Sequence, residues 1–378
     1  MSTDKKPIPI LDLNNEVALL WDELSGAVQG VLKSGAFVLG PEVQKFEAEV
    51  QQYLGVKHAI GLNSGTDALI IGLRAMGVRP GDEVITSSFS FFATAEAIEL
   101  IGAKAVFVDI DPATFNLDVA QVERKITPKT RAILPVHLYG QSADMDPLLA
   151  LAKAHDLKVL EDACQAFGCE YKNRKVSGIG DAGAHSFYPT KNLGAYGDGG
   201  MITTNDDAIA QQVRILRDHG SPRKYHHVTV GYNSRLDSIQ AAILRVKLKH
   251  IDAWNDARRA IARHYTQLLR DVPGVTPPAE AGYSRHVYHQ YTIRIAGGKR
   301  DAVREALTAD GIASMIYYPE AMHQAPYFAA RAQAEGAAWA QPQSERACAE
   351  VLSLPIGPRL TLADAERVVA VIKAALLP

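Results

Sequence analysis

Little in this chain points to covalent staples, membranes or a strong electric field. Among its 378 residues it has three cysteines, Cys164, Cys169 and Cys348. They form neither a CxxC pair nor an even set, which argues against a disulfide framework and a structural zinc site and for a reducing compartment. No segment approaches the roughly 18 uninterrupted apolar residues that cross a bilayer. The N-terminal MSTDKKPIPILDLNN has two lysines with no apolar run behind them, so a cytoplasmic location without a membrane partner is expected. Net charge is nearly absent too, since 40 basic against 42 acidic residues leave -2. Without a global basic field nucleic acid is not an expected partner, and an anionic ligand must be met by local cations.

What is present is an ordinary globular composition, 47% apolar and 22% charged, in a chain long enough for a large core and a second, smaller unit. From about residue 56 short apolar runs alternate with helix-period segments. VKHAIGLN, EVITSS, AKAVFVDID, RAILPVHLYG, KVLEDA and GGMITTND read as strands, with TDALIIGLRAMG, FFATAEAIELIG and DPLLALAKAHD as helices between them. This alternation predicts an α/β fold with a mostly parallel sheet covered on both faces. Ligands collect at the carboxyl ends of such strands, where Asn63-Ser64-Gly65-Thr66, Ser87-Ser88, His137 and Glu161-Asp162 lie. A helix is predicted over Asp207 to Arg217 and a much longer one from about Arg235 to Leu269. Beyond Pro273-Gly274 and Pro277-Pro278 a smaller α+β region is expected, with strands near HQYTIRI and SMIYYP and helices near 300–310, 343–350 and 362–376. The expected division is a large domain over 1–250 and a small one over 251–378, joined through the long helix. No internal repeat is visible.

The stretch SFYPTKNLGAYGDGG sets Lys191 between a proline and four glycines. Such a backbone is a loop of defined shape, and a lysine held in it is a candidate nucleophile. One surface lysine after a turn is the commoner reading, but three other features converge on this one. Asp162 ends the apolar strand KVL, where a carboxylate can hold a heteroaromatic nitrogen, although an N-cap is the plainer reading. Gly65 and Thr66 open a helix whose N-terminal N–H groups suit a phosphate. Ser186, five residues before the lysine, can add a hydroxyl to the same phosphate. With an aromatic face from Phe89, Phe91 or Phe92, these are the groups that pyridoxal phosphate requires.

NSGTDAL, EDACQAFG, FYPTKNLGAYGDGG and GYNSRLDSIQAAIL occur here in the order and at the spacing of the DegT/DnrJ/EryC1/StrS family of PLP-dependent sugar aminotransferases. The resemblance runs from LDL near residue 11 to LSLPIGP at 352–358. It implies the fold-type I aspartate aminotransferase architecture, a homodimer with shared active sites, and transfer of an amino group, usually from L-glutamate, to a nucleotide-linked keto sugar by ping-pong chemistry. It further implies Lys191 as the Schiff-base lysine, Asp162 as partner of the pyridine nitrogen and Gln165 as contact to the ring hydroxyl. Phe91 matches the stacking aromatic, and Gly65, Thr66 and Ser186 match phosphate contacts. Asn233 matches the asparagine that reaches the phosphate from the neighbouring subunit. Products of such enzymes enter surface polysaccharides or glycosylated natural products.

For a diphosphate substrate, local cations are offered by the segment from Arg217 to His227. Adjacent His226 and His227 make a poor metal pair, and no metal is expected. Arg235 suits a carboxylate of the donor or of a uronic acid, or else a salt bridge at a helix start. Tyr318 lies where relatives place substrate-lining residues, and His323 is a further candidate for a substrate contact. The run RKYHHVTVGYNSRLDSIQAAIL is most similar to the branch that aminates C3 of UDP- or dTDP-linked sugars. Alternatives are amination at C4, a cyclitol substrate, PLP-dependent dehydration, or a non-catalytic regulatory role. The dehydratases of this family that use PMP replace the lysine, and no recognition helix for nucleic acid is seen.

Overall fold

The computed structural model describes residues 6–337 and 339–376. Its central sheet is built from His58–Leu62 (β1), Glu83–Ser87 (β2), Lys104–Val108 (β3), Thr130–Leu134 (β4) and Lys158–Asp162 (β5). Two short strands, Glu170–Tyr171 (β6) and Arg174–Lys175 (β7), then make a side hairpin before Ala182–Ser186 (β8) and Gly200–Thr204 (β9) rejoin the main sheet. The spatial order is β1-β9-β8-β5-β4-β2-β3. Every pairing from β8 to β3 is parallel, and β9 alone runs against both its neighbours. The strands are buried on both faces, which is why they read as apolar runs rather than as alternating patterns. Helices Gly65–Ala75, Ala93–Leu100 and Asp207–Arg217 contribute apolar stripes to the core around Ile71, Ile98, Leu134 and Leu160, and helix Met145–Ala154 packs in a second core with Ile85, Ile133 and Val159.

A second sheet, β10 (Val275–Thr276), β12 (Tyr291–Ile295) and β13 (Val351–Leu354), is antiparallel in the order β10-β12-β13. The intervening β11 (Ser284–Arg285) returns to pair with β6. Helices Arg300–Ala309 and Leu362–Leu376 pack together against the second sheet in a separate core that includes Tyr265, Ile293, Leu307 and Val368. Ile8, from the other end of the chain, is buried there too. The fold-type I arrangement implied by the resemblance, a large mostly parallel sheet plus a smaller α+β unit, is the one observed.

Two expected elements differ. The helix anticipated from Arg235 to Leu269 is two helices, Ser238–Leu248 and Ile251–Leu269, separated at Lys249 and His250. The first packs on helices Trp21–Ser34 and Pro41–Leu54, the second on Leu362–Leu376. Both halves are helix-forming and the junction has no glycine or proline, so periodicity alone does not reveal the change of partner. The strand expected at SMIYYP is only an isolated bridge, Met315 to Ser353. Its backbone is claimed instead by the main sheet's loops, with the Tyr139 hydroxyl donating to the Tyr317 carbonyl.

Among the described residues no helix is long and apolar enough to cross a membrane, and no group of three or more His, Cys, Asp or Glu side chains is arranged to hold a metal.

Candidate active site

Parallel pairing of β5 and β8 puts Asp162 beside Ala184, three residues before the chain leaves the sheet at Phe187. The chain returns at Gly200, paired with Ser186, so the loop carrying Lys191 begins and ends at one place. Phe187 N–H donates to Gly199 O at 2.8 Å, Ala195 N–H to Phe187 O at 2.7 Å, and Lys191 N–H to Tyr188 O at 2.9 Å. None of the loop's four glycines has positive φ. They serve close approach instead: a Cβ on Gly200 would lie 2.1 Å from Ser64 O, and one on Gly194 2.4 Å from Pro189 O. The expectation of a shaped loop holds, with contact rather than left-handed backbone as the cause.

Lys191 is half-buried, and among the described residues its amine has neither a hydrogen bond nor an ion pair. Burial pushes its pKa below the ordinary value, while Cys164 and Asp162 nearby pull it the other way. Asp162, at the carboxyl end of β5, is 4% exposed. Its Oδ2 accepts from the Thr94 hydroxyl at 2.9 Å and its Oδ1 from Cys164 N–H at 3.2 Å. Glu161, the other carboxylate of the motif, turns the opposite way into the core. It accepts from His137 at 3.0 Å and from the N–H groups of Ser177, Ile179 and Gly180. Burial would raise its pKa, but these bonds overcome that and hold it below the usual range.

Helix Gly65–Ala75 starts at Ser64, whose hydroxyl accepts from Asp67 N–H. A Cβ on Gly65 would sit 2.6 Å from Ser186 Cβ and 3.0 Å from Cys164 Sγ. Gly65 is therefore what allows the helix N-terminus, Ser186 and the Asp162 loop to meet. Gln165 accepts from Tyr139 N–H at 2.8 Å and donates to the Tyr318 hydroxyl at 2.9 Å. Tyr318 is held protonated by its burial, which raises its pKa. Of the three phenylalanines, Phe89 is core, Phe92 lies against Phe328, and Phe91 stays 58% exposed with its ring centroid 6.3 Å from that of Tyr318.

The contacts thus bring Lys191, Asp162, Gly65, Ser186, Gln165, Phe91 and Tyr318 into one neighbourhood, with Thr66 next to Gly65 in the first turn of the helix. Three expected residues make their bonds elsewhere. Asn233 is exposed and bridges to Asp218. Arg235 pairs with Asp218 at 2.8 Å, as the salt-bridge reading has it. His323 is buried with Nε2 on Glu345 at 3.0 Å, while its Nδ1 has no partner. Of the cations in the 217–227 segment, Arg217 is committed to Glu47 at 2.7 Å and to Gly61 O. Thr94 was not anticipated; the signal was its place in the first turn of a helix just past Phe91, within reach of a strand end.

The arrangement fits pyridoxal phosphate. It has an unpartnered amine, a buried carboxylate fixed by two donors, a helix N-terminus kept open by a glycine, and an exposed aromatic ring.

Comparison with known proteins agrees. The model of the DegT/DnrJ/EryC1/StrS aminotransferase family matches residues 20–373. The chain is 52% identical over 355 residues to a pleiotropic regulatory protein of Geobacillus stearothermophilus, covering 93% of this chain and 94% of that one. It is 46% identical over 371 residues, 98% of each chain, to a UDP-N-acetyl-3-dehydro-alpha-D-glucosamine 3-aminotransferase of Acidithiobacillus ferrooxidans. Among solved structures, DesV of S. venezuelae in complex with a ketimine intermediate has a TM-score of 0.95 at 43% identity, covering 99% of this chain and 100% of that one.

Proposed function

This chain belongs to the DegT/DnrJ/EryC1/StrS aminotransferase family, whose cofactor is pyridoxal phosphate, and from that premise we propose that it moves an amino group from L-glutamate to the C3 ketone of a nucleotide-linked sugar. The observation that carries this is the unpartnered amine of Lys191 beside Asp162 and the N-terminus of helix Gly65–Ala75. The choice of C3 rests on the 3-aminotransferase with which the chain shares 46% identity over nearly its whole length.

When bound, pyridoxal phosphate supplies an electron sink for the bond broken at the donor's α-carbon. The chain's own residues do the rest. Lys191, whose pKa burial lowers, would hold the cofactor through its amine and, when that amine is free, would carry the proton from one carbon to another. Asp162, oriented by Thr94 and Cys164, holds the proton on the pyridine nitrogen. Gln165 meets the ring hydroxyl and Phe91 covers one face. Gly65, Thr66 and Ser186 take the phosphate, joined by Asn233 of the second copy in a homodimer. Tyr318, kept protonated, and His323, with a bare buried Nδ1, are the substrate contacts. Arg235 joins them by exchanging Asp218 for a substrate carboxylate. The regulatory name of one relative does not displace this reading, because a purely regulatory role has no use for a complete cofactor-binding set.

The test is the visible spectrum of the protein with pyridoxal phosphate before and after L-glutamate, with Lys191→Ala as control. A Lys191-dependent band that glutamate converts to the pyridoxamine form is expected, and no band at all would end the cofactor assignment. UDP- and dTDP-linked 3-amino and 4-amino sugars run in reverse with 2-oxoglutarate then test the carbon. Reaction of the 4-amino sugars alone would overturn C3.

A further inference from the structure

The residue after the lysine is buried in a line of amides that runs between three parts of the fold. Asn192 Nδ2 donates to Asn255 Oδ1 at 2.8 Å and to Val287 O at 3.1 Å, and His289 Nδ1 lies 3.2 Å from Asn192 Oδ1. Asn255 in turn donates from Nδ2 to Phe167 O at 3.1 Å. The orientation of both amides follows from their end contacts, because a backbone carbonyl can only accept. Asn192 must turn Nδ2 to Val287, leaving Oδ1 for His289, so His289 is the tautomer protonated on Nδ1. Asn255 must turn Nδ2 to Phe167, leaving Oδ1 for Asn192. Donors therefore point one way throughout, from His289 to Asn192 to Asn255 to Phe167.

The three side chains are between 0% and 6% exposed. Burying two primary amides and an imidazole is costly unless their bonds are made, and apolar side chains would fill the space more cheaply. What amides add is direction. Phe167 lies two residues past Gln165, Asn255 is on helix Ile251–Leu269, and His289 leads into β12. The backbone at Gly168 comes so near that a Cβ there would be 2.8 Å from Asn255 Nδ2. One line of bonds thus ties the segment entering the smaller sheet, the lysine loop and the Asp162–Gln165 loop.

We propose that Asn192 and Asn255, anchored by His289, are positioning residues that set the reach of Lys191 relative to Asp162 and Gln165. This rests on the proposed function, since it assigns these residues to the service of Lys191. The arrangement requires a proton on His289 Nδ1, and burial, with Lys191 and Arg258 nearby, lowers the pKa of this residue well below the ordinary value.

The test uses Asn255→Leu, which keeps the bulk and removes both bonds, and His289→Leu at the opposite end. Two readouts are taken: steady-state kinetics of the holoenzyme with L-glutamate, and, on the cofactor-free chain, the pH dependence of acetylation at Lys191 followed by mass spectrometry. Asp162, Cys164 and His289 are the ionisable groups acting on that amine, and Asn255→Leu leaves all three in place. The expected result is kcat lower by about tenfold with KM for glutamate within about twofold. The acetylation midpoint should rise by about one pH unit, a roughly tenfold loss of neutral amine, as a loosened loop lets water reach it. Unchanged kcat and an unchanged midpoint in folded Asn255→Leu would overturn the proposal, whatever happens to its melting temperature. If that variant does not fold, His289→Leu decides by the same outcomes. Lys191→Ala is run alongside: activity in that control would refute the proposed function itself, whereas an inactive control with a normal Asn255→Leu refutes only the positioning role.

Discussion

The hydroxyl of Thr94 donates to Asp162 Oδ2 across 2.9 Å, from the first turn of a helix to the end of a strand 68 residues later. Ser90 lies behind it, 3.0 Å from the same hydroxyl. With Cys164 N–H on the other oxygen, the carboxylate is held by a helix and a loop at once. The group proposed to meet the pyridine nitrogen is therefore aimed by two residues outside the set proposed to hold the cofactor.

Thr94→Val keeps shape and deletes that donor. A hydrogen bond to a charged group is worth about 1.5–3 kcal/mol, so kcat should fall roughly tenfold to a hundredfold, with circular dichroism unchanged. Wild-type turnover in this variant would mean that Asp162 needs no help from the helix.

Gly65→Ala puts a methyl group where Ser186 Cβ is 2.6 Å away. The far end of that contact is not a flexible tip, so the helix N-terminus or β8 must shift, at a cost of about 1–3 kcal/mol. Titration with pyridoxal phosphate should show affinity down by roughly tenfold or more, accompanied by a lower melting temperature. Undiminished affinity would show that the phosphate sits elsewhere.

A different kind of dependence joins the first helix to the lysine loop. Lys247, 1% exposed, pairs with Glu16 at 2.6 Å beneath the ring of Tyr196, whose hydroxyl also donates to Glu16. Burial lowers the pKa of Lys247 and Glu16 offsets part of this. Glu16→Ala leaves the cation without its partner and should cost about 3–5 kcal/mol in urea unfolding at fixed protein concentration. Lys247→Met in the same chain should recover most of that, because no unpaired charge then remains. A double variant as unstable as the single one would show that packing, not charge, is at stake.

Much of the fold could be read because the chemistry-bearing residues stand at strand ends: KVL leads straight into Glu161-Asp162, and NSGTD follows the strand that ends at Leu62. What could not be read were the relationships set by side-chain partners far away in sequence. Arg217 looks like a free cation in a basic run, yet Glu47, 170 residues earlier, occupies it. Arg235 has Asp218, 17 residues earlier, beside it at 2.8 Å, a partner that no local pattern announces. The turn at Lys249 and His250 has no breaker residue to announce it, and Asn192 and Asn255, 63 residues apart, are ordinary polar residues until the fold buries them together. The loop glycines were visible, but their reason lies in the atoms opposite, which no local pattern contains.

His185 offers a test of stability against pH. It precedes Ser186 on β8 but faces away from the site, its ring centroid 5.3 Å from that of Phe167 and 6.4 Å from that of Phe187. Neither ring nitrogen has a partner, and burial lowers its pKa to about 3. The unfolded chain takes up a proton at this residue near the ordinary histidine value of 6.5, whereas the folded one does not until about pH 3. Below pH 6.5 the unfolded state thus binds more protons, and stability falls as pH falls through that window. At pH 5 the deficit from this residue alone is about 2 kcal/mol, and at pH 8 it is absent. His286, buried with a pKa likewise near 3, adds a slope of the same sign, so the proof lies in the difference between variants. His185→Phe, which suits the neighbouring rings and cannot titrate, should raise stability relative to the parent by about 2 kcal/mol more at pH 5 than at pH 8. Denaturant midpoints at the two pH values measure it. Parallel curves for parent and variant would mean that His185 is protonated in the fold, with nearby Glu161 outweighing its burial.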